Sequence, residues 1–313
     1  MLVDGTKAIT VNCQLSTIIF FMKPLIVITG KNGQLGWELS RLQHLYADTY
    51  EFIIVDKSEL DLSNPQSIPD FFRQYQPKYF INCGAYTTVD KAETEKDLCY
   101  KINAESVGVI ASECATINCK FITISTDYVF GGNGTSPYLP NQPKDPLNYY
   151  GYSKATGEDL AFANNPKTIV IRTSWVYSVH GANFVKTMMR LLKERDSLNV
   201  VSDQVGSPTF AADLANALLH IVFELEKGNE HYGYYHYSND GVISWFDFAE
   251  QIKTNATLTC SVSPVPTTAY PTPAKRPAYS VLDKTSIVAD FGIEIIDWQV
   301  SLKKCMAEFL PVI

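Results

Sequence analysis

Thr29-Gly30-Lys31-Asn32-Gly33-Gln34-Leu35-Gly36 is the stretch on which the reading of this chain turns. The apolar run Leu25-Ile-Val-Ile-Thr29 stands before it, and a helical pattern from Gln34 to Leu45 continues from it. Its glycines are spaced GxxGxxG. Glycine tolerates φ > 0 and lets backbone N–H groups approach a pyrophosphate at a helix N-terminus, and the third glycine lets helix and sheet pack closely. A glycine pattern alone also fits an empty βα turn. The strand before it and the helix after it make dinucleotide binding the better reading. The candidate contacts in the turn are Gly30, Asn32, Gly33, Gln34, Leu35 and Gly36. Asp56 follows the next apolar run, Phe52-Ile-Ile-Val55, where a carboxylate would take the adenosine ribose 2′-hydroxyl. Lys57 beside it suits a 2′-phosphate instead. Asp61 and Leu62 are placed to reach the adenine edge. NADPH is the expected coenzyme, with NADH open.

Outward from the turn, β-rich runs alternate with helical patterns. A helix is predicted over Pro65 to Tyr75 with Asn64 as its N-cap. A strand follows at Tyr79 to Asn82, a long helix over Asp97 to Asn118, and a strand at Phe121 to Ile124. Then come a helix over Asn148 to Ala163, a strand at Thr168 to Arg172, a helix over Phe184 to Arg195, and a sixth strand at Leu198 to Val201. Continuous apolar strands alternating with helices predict an α/β fold with a doubly wound parallel sheet, the Rossmann fold, its crossovers right-handed and its ligand crevice at the carboxyl ends of the strands. After Val201 the pattern fragments: a helix over Ala211 to Leu225, an aromatic strand at Tyr232 to Tyr237, a short helix capped by Ser244, a Pro-rich stretch, and two final helices. The expected division is a dinucleotide-binding Rossmann domain over 22–201, carrying part of the catalytic site, and a smaller C-terminal α/β substrate-binding lobe over 202–313, some of whose segments can return to the sheet. Residues 1–21 read as a disordered tail or as sequence ahead of a start at Met22. Their apolar run, Ile18 to Met22, is far too short to span a bilayer and has no basic n-region.

With 46% hydrophobic and 19% charged residues, the chain is outside the disordered regime. Its net charge of −7 argues against a nucleic-acid binder or a membrane-surface binder, so an anionic ligand has to be drawn by local basic groups. The seven cysteines form no CxxC pair, and several lie in apolar runs, which fits a reducing cytoplasm better than a disulfide scaffold.

Tyr150-Gly-Tyr-Ser-Lys154 places a phenol and an ammonium four residues apart on one helical face. A lysine near a tyrosine oxygen is expected to lower its pKa, and a tyrosine so tuned can donate a proton to an alkoxide forming at a carbonyl. The lysine can also hold the nicotinamide ribose. Tyr149 points about 100° away and reads as a packing residue. Ser125 or Thr126, at the end of a strand, can hydrogen-bond a substrate carbonyl, and Asn82-Cys83-Gly84-Ala85 brings small residues under a cofactor. Glycine turn, small strand end, hydroxyl pair and YxxxK occur in the order that a reductase requires.

Seven runs carry a resemblance: Gly30–Ser40 (GKNGQLGWELS), Ala85–Glu93 (AYTTVDKAE), Ser125–Asn133 (STDYVFGGN), Pro146–Ala155 (PLNYYGYSKA), Arg172–Ser178 (RTSWVYS), Ser202–Phe210 (SDQVGSPTF) and Pro271–Val281 (PTPAKRPAYSV). The chain resembles the dTDP-4-dehydrorhamnose reductase family of the extended short-chain dehydrogenases/reductases over nearly its whole length from Met22. The resemblance implies hydride transfer from NAD(P)H to the C4 keto group of a dTDP-4-dehydro-6-deoxy sugar, giving dTDP-L-rhamnose. It implies Tyr150, Lys154 and Thr126 as catalytic residues, and Cys83, Gly84, Ala85 and Tyr86 as cofactor contacts alongside the glycine turn. It implies Thr87, Val89, Thr126, Asp127, Trp175 and Arg276 as substrate contacts, with Arg276 near the nucleotide. Some members of the family are homodimers with magnesium held by glutamates at the contact. Glu38 matches the first of these, but Ala212, with Asp213 next to it, stands at the second, so no metal is expected. Asp90 to Glu93 read as structural, an acidic group suiting a helix start.

Two other readings remain. A nucleotide-sugar epimerase or 4,6-dehydratase shares the glycine turn and YxxxK, but a dehydratase typically needs a further carboxylate where Tyr128 follows Asp127. A non-catalytic regulatory subunit of methionine adenosyltransferase keeps this fold, and the intact Thr126, Tyr150 and Lys154 set argues against it.

Overall fold

In the computed structural model, residues 23–309 are described, so the expectations for residues 1–21 and for a start at Met22 lie outside them. The strands and helices in chain order are β1 (Leu25–Thr29), α1 (Gln34–Leu42), β2 (Glu51–Val55), α2 (Ile68–Tyr75), β3 (Tyr79–Asn82), α3 (Lys96–Tyr100), α4 (Ser106–Thr116), β4 (Lys120–Thr126), α5 (Tyr149–Asn164) and β5 (Thr168–Thr173). There follow β6 (Val176–Tyr177), α6 (Phe184–Glu194), β7 (Ser197–Val201), β8 (Val205–Gly206), β9 (Thr209–Phe210), α7 (Ala211–Glu226), β10 (Gly233–His236), β11 (Ile243–Ser244), α8 (Trp245–Asn255), β12 (Ser261–Val265), α9 (Thr285–Phe291) and α10 (Trp298–Ala307). Among the described residues no helix is long and apolar enough to cross a membrane.

Six strands form one parallel sheet in the order β10-β5-β4-β3-β1-β2. Because a strand's side chains alternate between faces, each apolar run feeds two cores. Ile26, Ile28, Tyr79 and Ile81 pack on one face against Leu35, Leu39, Leu214, Leu218 and Phe291 of α1, α7 and α9. Val27, Phe80 and Phe121 pack on the other against Phe71, Phe72, Val107 and Ile110 of α2 and α4. The chain leaves β1 toward β2 on one side and later reaches β3 on the other. That reversal opens a crevice at the carboxyl ends of β1 and β3.

Several sequence expectations are corrected. Leu198 to Val201 is a strand, but not the sixth of this sheet: β7 pairs with β12 in a separate two-stranded ladder, and the aromatic β10 takes the sheet edge beside β5. Packing runs across the 201/202 boundary, in keeping with the expectation that later segments can return to the sheet. Val185, Met189, Leu192 and Val200, from before it, share a third core with Phe248, Ile252, Leu302 and Met306. Helix α7 and β10, from after it, belong to the sheet. The predicted Asn64 cap makes no side-chain hydrogen bond, and Pro65–Ser67 forms a single tight turn ahead of α2. The predicted long helix is interrupted by a π-turn at Lys101–Glu105 between α3 and α4. Ser244 does cap α8, in a reciprocal box with Asp247.

Candidate active site

A cleft of about 660 Å³ lies at the carboxyl ends of β1, β3, β4 and β5. Its floor is the glycine turn. Gly30 sits at φ +80°, and a Cβ there would fall 2.8 Å from the Cys83 carbonyl carbon, so only glycine lets β1 and β3 close on the turn. A Cβ at Gly36 would overlap the Gly30 carbonyl. Gly33 caps α1 without any side-chain hydrogen bond, which leaves the N–H groups of the first helical turn for an anion. An uncapped helix start above a turn too tight for a side chain fits a pyrophosphate. At the end of β2, the Asp56 carboxylate accepts hydrogen bonds from the Ser58 hydroxyl and N–H at 2.7 Å and from Asn32 Nδ2 at 2.9 Å. The Ser58 bonds above all hold it below the usual carboxylate range. Lys57 is exposed, 3.9 Å from Asp61.

Helix α5 carries the phenol and the ammonium. Its start is fixed by Asn148, whose Oδ1 accepts from Gly151 N–H and whose Nδ2 donates to the Lys275 carbonyl, both at 2.8 Å. The Glu93 carboxylate accepts from Tyr149 N–H at 2.8 Å, so that acidic group serves the start of α5 and not that of its own segment. Tyr149 packs beside Tyr152 and under Lys96, away from the cleft. Lys154 is 4% exposed, and its Nζ donates to the Ile124 carbonyl at 2.7 Å. Burial pushes its pKa down to about 8, against the pull of Glu158 one turn on. Glu158 is itself held bidentately by the fully buried Arg172 at the end of β5, both bonds at 2.8 Å.

The Tyr150 phenol is half-buried in the cleft wall, and the loss of solvent around it raises its pKa. The neighbouring Thr126 hydroxyl opposes that rise, and Asp127 adds to it. The net shift is upward, opposite to the lowering expected from the lysine. The phenol is held protonated, which is the state a proton donor starts from. Asp127 is 2% exposed, and burial raises its carboxyl to about 6. Its Oδ1 accepts from Thr126 Oγ1 at 3.0 Å, while Oδ2 has no hydrogen-bond partner among the described residues. Ser280 lies beside it, with its hydroxyl directed at the Val205 carbonyl 3.5 Å away. Ser125 Oγ is likewise buried without a partner. Buried polar atoms left open at a cleft wall are fitted to groups that a ligand brings.

Cys83, Gly84, Ala85, Asp61, Leu62, Thr87, Val89 and Trp175 line the same cleft. Tyr86 and Arg276 do not. Tyr86 hydrogen-bonds Glu95 at 2.7 Å and is clamped through its backbone by Asn103. Arg276 pairs with Asp90 at 3.0 Å and donates to the Ala274 carbonyl at 2.9 Å. Trp175 adopts φ +49°, an unusual conformation for a bulky side chain, and stacks on Trp245 with ring centroids 3.6 Å apart. Trp245 was missed, although the Ser244–Asp247 box marks it as the first residue of a helix. Tyr128 was also missed. Its ring meets Tyr150 edge-on at 5.7 Å, and its place directly after the strand-end hydroxyls was the available signal. Thr173 and Ser174 extend β5 into the cleft, as the strand-end rule itself would have indicated.

Glu38 and Asp213, the acidic residues at or beside the glutamate positions of that resemblance, are both engaged within the chain. Glu38 is buried, with Oε1 accepting from Ser178 at 2.6 Å and Oε2 facing Arg41 at 3.3 Å. Asp213 faces inward to Asn239 and Ser301. Among the described residues no cluster of three metal-ligating side chains occurs.

A family model described as RmlD substrate binding domain matches residues 22–310. A dTDP-4-dehydrorhamnose reductase from Aggregatibacter actinomycetemcomitans is 42% identical over 289 residues, 90% of this chain and 98% of that protein. A crystal structure of a dTDP-4-dehydrorhamnose reductase from Clostridium acetobutylicum superposes with a TM-score of 0.86 at 39% identity, covering 91% of this chain and 99% of that one. One from Bacillus anthracis, in complex with NADP, superposes at 0.85 with 38% identity, covering 92% and 100%.

Proposed function

The chain belongs to the dTDP-4-dehydrorhamnose reductase family, and from that premise we propose that it reduces the C4 keto group of dTDP-4-dehydro-6-deoxy-L-mannose to give dTDP-L-rhamnose. The observation that carries the reading is the grouping of Tyr150, Thr126 and Lys154 at one cleft wall above an uncapped glycine turn. NADPH, when bound, supplies the hydride. The first turn of α1 holds the pyrophosphate. Lys154 Nζ, anchored on the Ile124 carbonyl, holds the nicotinamide ribose. Thr126 and Tyr150 orient the keto oxygen, and the Tyr150 phenol gives its proton to O4 as C4 becomes tetrahedral. The open oxygen of Asp127 and the Ser125 hydroxyl receive sugar hydroxyls. The Trp175 face forms the opposite wall. NADPH over NADH is supported by Lys31 and Lys57 at the end of β2, two cations suited to a 2′-phosphate, and by the engagement of the Asp56 carboxylate with Asn32 and Ser58 in place of a ribose hydroxyl. The six described cysteines are all free, which supports a reducing compartment such as the cytoplasm.

The test is an assay in which the keto sugar and each reduced coenzyme are added in turn. NADPH is expected to be oxidised only when the keto sugar is present, with dTDP-rhamnose as product. Turnover of dTDP-glucose, or no oxidation with the keto sugar, would reject the reading.

A further inference from the structure

Between β5 and α6 the chain runs back along the glycine turn, and four side-chain hydrogen bonds fasten it there. Gln34 Nε2 donates to the Val176 carbonyl at 3.2 Å, and Asn183 Nδ2 donates to Gln34 Oε1 at 2.9 Å. Ser178 Oγ donates to Glu38 Oε1 at 2.6 Å, and His180 Nε2 donates to the Asn32 carbonyl at 3.0 Å. The His180 ring also stacks on Trp37 of α1, 5.0 Å between centroids and 9° from parallel. The same segment starts at Trp175, which leans on Trp245, and is pinned into the lobe by the pairing of Val176 with Thr209 and Tyr177 with Phe210. Gly181 and Ala182 line the cleft. The segment thus touches the dinucleotide floor at one end and the sugar wall at the other, and the chemistry at C4 calls for none of its bonds.

We propose that residues 175–183 act as a strap that couples occupancy of the dinucleotide floor to occupancy of the nucleotide-sugar wall, with His180 and Gln34 as positioning residues. The proposal rests on the reading that both ligands bind in this cleft. Its physical content is that the Asn32 carbonyl, an acceptor beside the phosphate position, is satisfied by His180 and held away from the anion. The turn presents its N–H groups fully only when the strap is seated, and the strap is seated most firmly when Trp175 is also held by a ligand. Coupling of this kind is reciprocal.

The experiment is titration calorimetry on the full chain, with dTDP added to the free protein and to protein saturated with NADPH, and with the order of addition reversed. NADPH is expected to tighten dTDP by about fivefold or more, and dTDP to tighten NADPH by the same factor. His180→Phe keeps a ring on Trp37 and removes the donor, and in this variant the factor is expected to fall below about twofold. A role confined to stability would lower both affinities or the melting temperature and leave their ratio alone. Should His180→Phe not fold, His180→Leu, which removes the donor and keeps an apolar contact with Trp37, is measured in the same way with the same expectation. Independent binding of the two ligands to the wild type, or a variant with wild-type coupling, overturns the strap. Failure of the wild type to bind either ligand overturns the underlying reading of the cleft.

Discussion

Tyr150 and Lys154 were legible as residues because their spacing puts them on one face of any helix. What their surroundings do to them was not. In place of a phenol acidified by a neighbouring ammonium, burial holds Tyr150 protonated and draws Lys154 down to about 8. Removing only the proton donor, Tyr150→Phe, is expected to cut kcat by about 10³-fold and to leave NADPH affinity within about threefold. Near-normal turnover in that variant would refute the role. Because the ammonium is the working form of Lys154, kcat/KM is expected to fall as pH rises through about 8. A profile flat to about pH 10 would show that the lysine does not titrate there. Asp127 gives a second test of burial. Its folded pKa of about 6 lies above that of an unfolded carboxyl, so the folded state takes up protons between about pH 4 and pH 6. The ionised carboxylate therefore costs stability, and the cost is complete above that window. Asp127→Asn is expected to stabilise the protein at pH 7 by about 1–3 kcal/mol while lowering kcat/KM for the sugar at least about tenfold. A drop in the denaturant midpoint would contradict this account.

Among elements, α5 and its neighbours carry the site, and their fit depends on small residues. A Cβ on Gly157 would overlap the backbone oxygen of Asn103, inside the π-turn that interrupts the long helix. That turn lets the Asn103 side chain bond Tyr86 N–H at 2.8 Å, the Tyr86 carbonyl at 3.0 Å and Ser153 Oγ at 3.1 Å, tying the end of β3 to α5. Gly157→Ala is expected to cost about 2–3 kcal/mol of unfolding free energy, read from denaturant melts. A change under about 0.5 kcal/mol would mean the two helices can part freely. The helical periodicity was visible in the sequence and the π-turn was not, since one inserted residue leaves the apolar pattern almost unchanged while redirecting Asn103. The strand at Leu198 to Val201 was visible too, but not its partner. A short apolar run states that it will pair and does not state with what.

At the scale of the whole molecule, two of the large cores are built from segments on both sides of residue 201. The sheet needs α7 and β10 from beyond residue 201, and the lobe needs α6 and β7 from before it. A fragment ending at 201 leaves bare the sheet face that Leu214, Leu218, Ile221 and Val222 cover. Residues 22–201 expressed alone are expected to show no cooperative thermal transition and to bind a hydrophobic dye. A sharp melt from that fragment would show that the first half folds by itself.

The sequence by itself determined the parallel sheet, the tight glycine turn and the phenol–ammonium pair, because each follows from local spacing or from the conformations a residue type permits. Only the tertiary structure decided which strand closes the sheet, that Trp175 leans on Trp245, that Arg276 pairs with Asp90, and how burial tunes Tyr150, Asp127 and Lys154. Pairing partners and desolvation are properties of neighbours distant in the chain, and no local pattern encodes them.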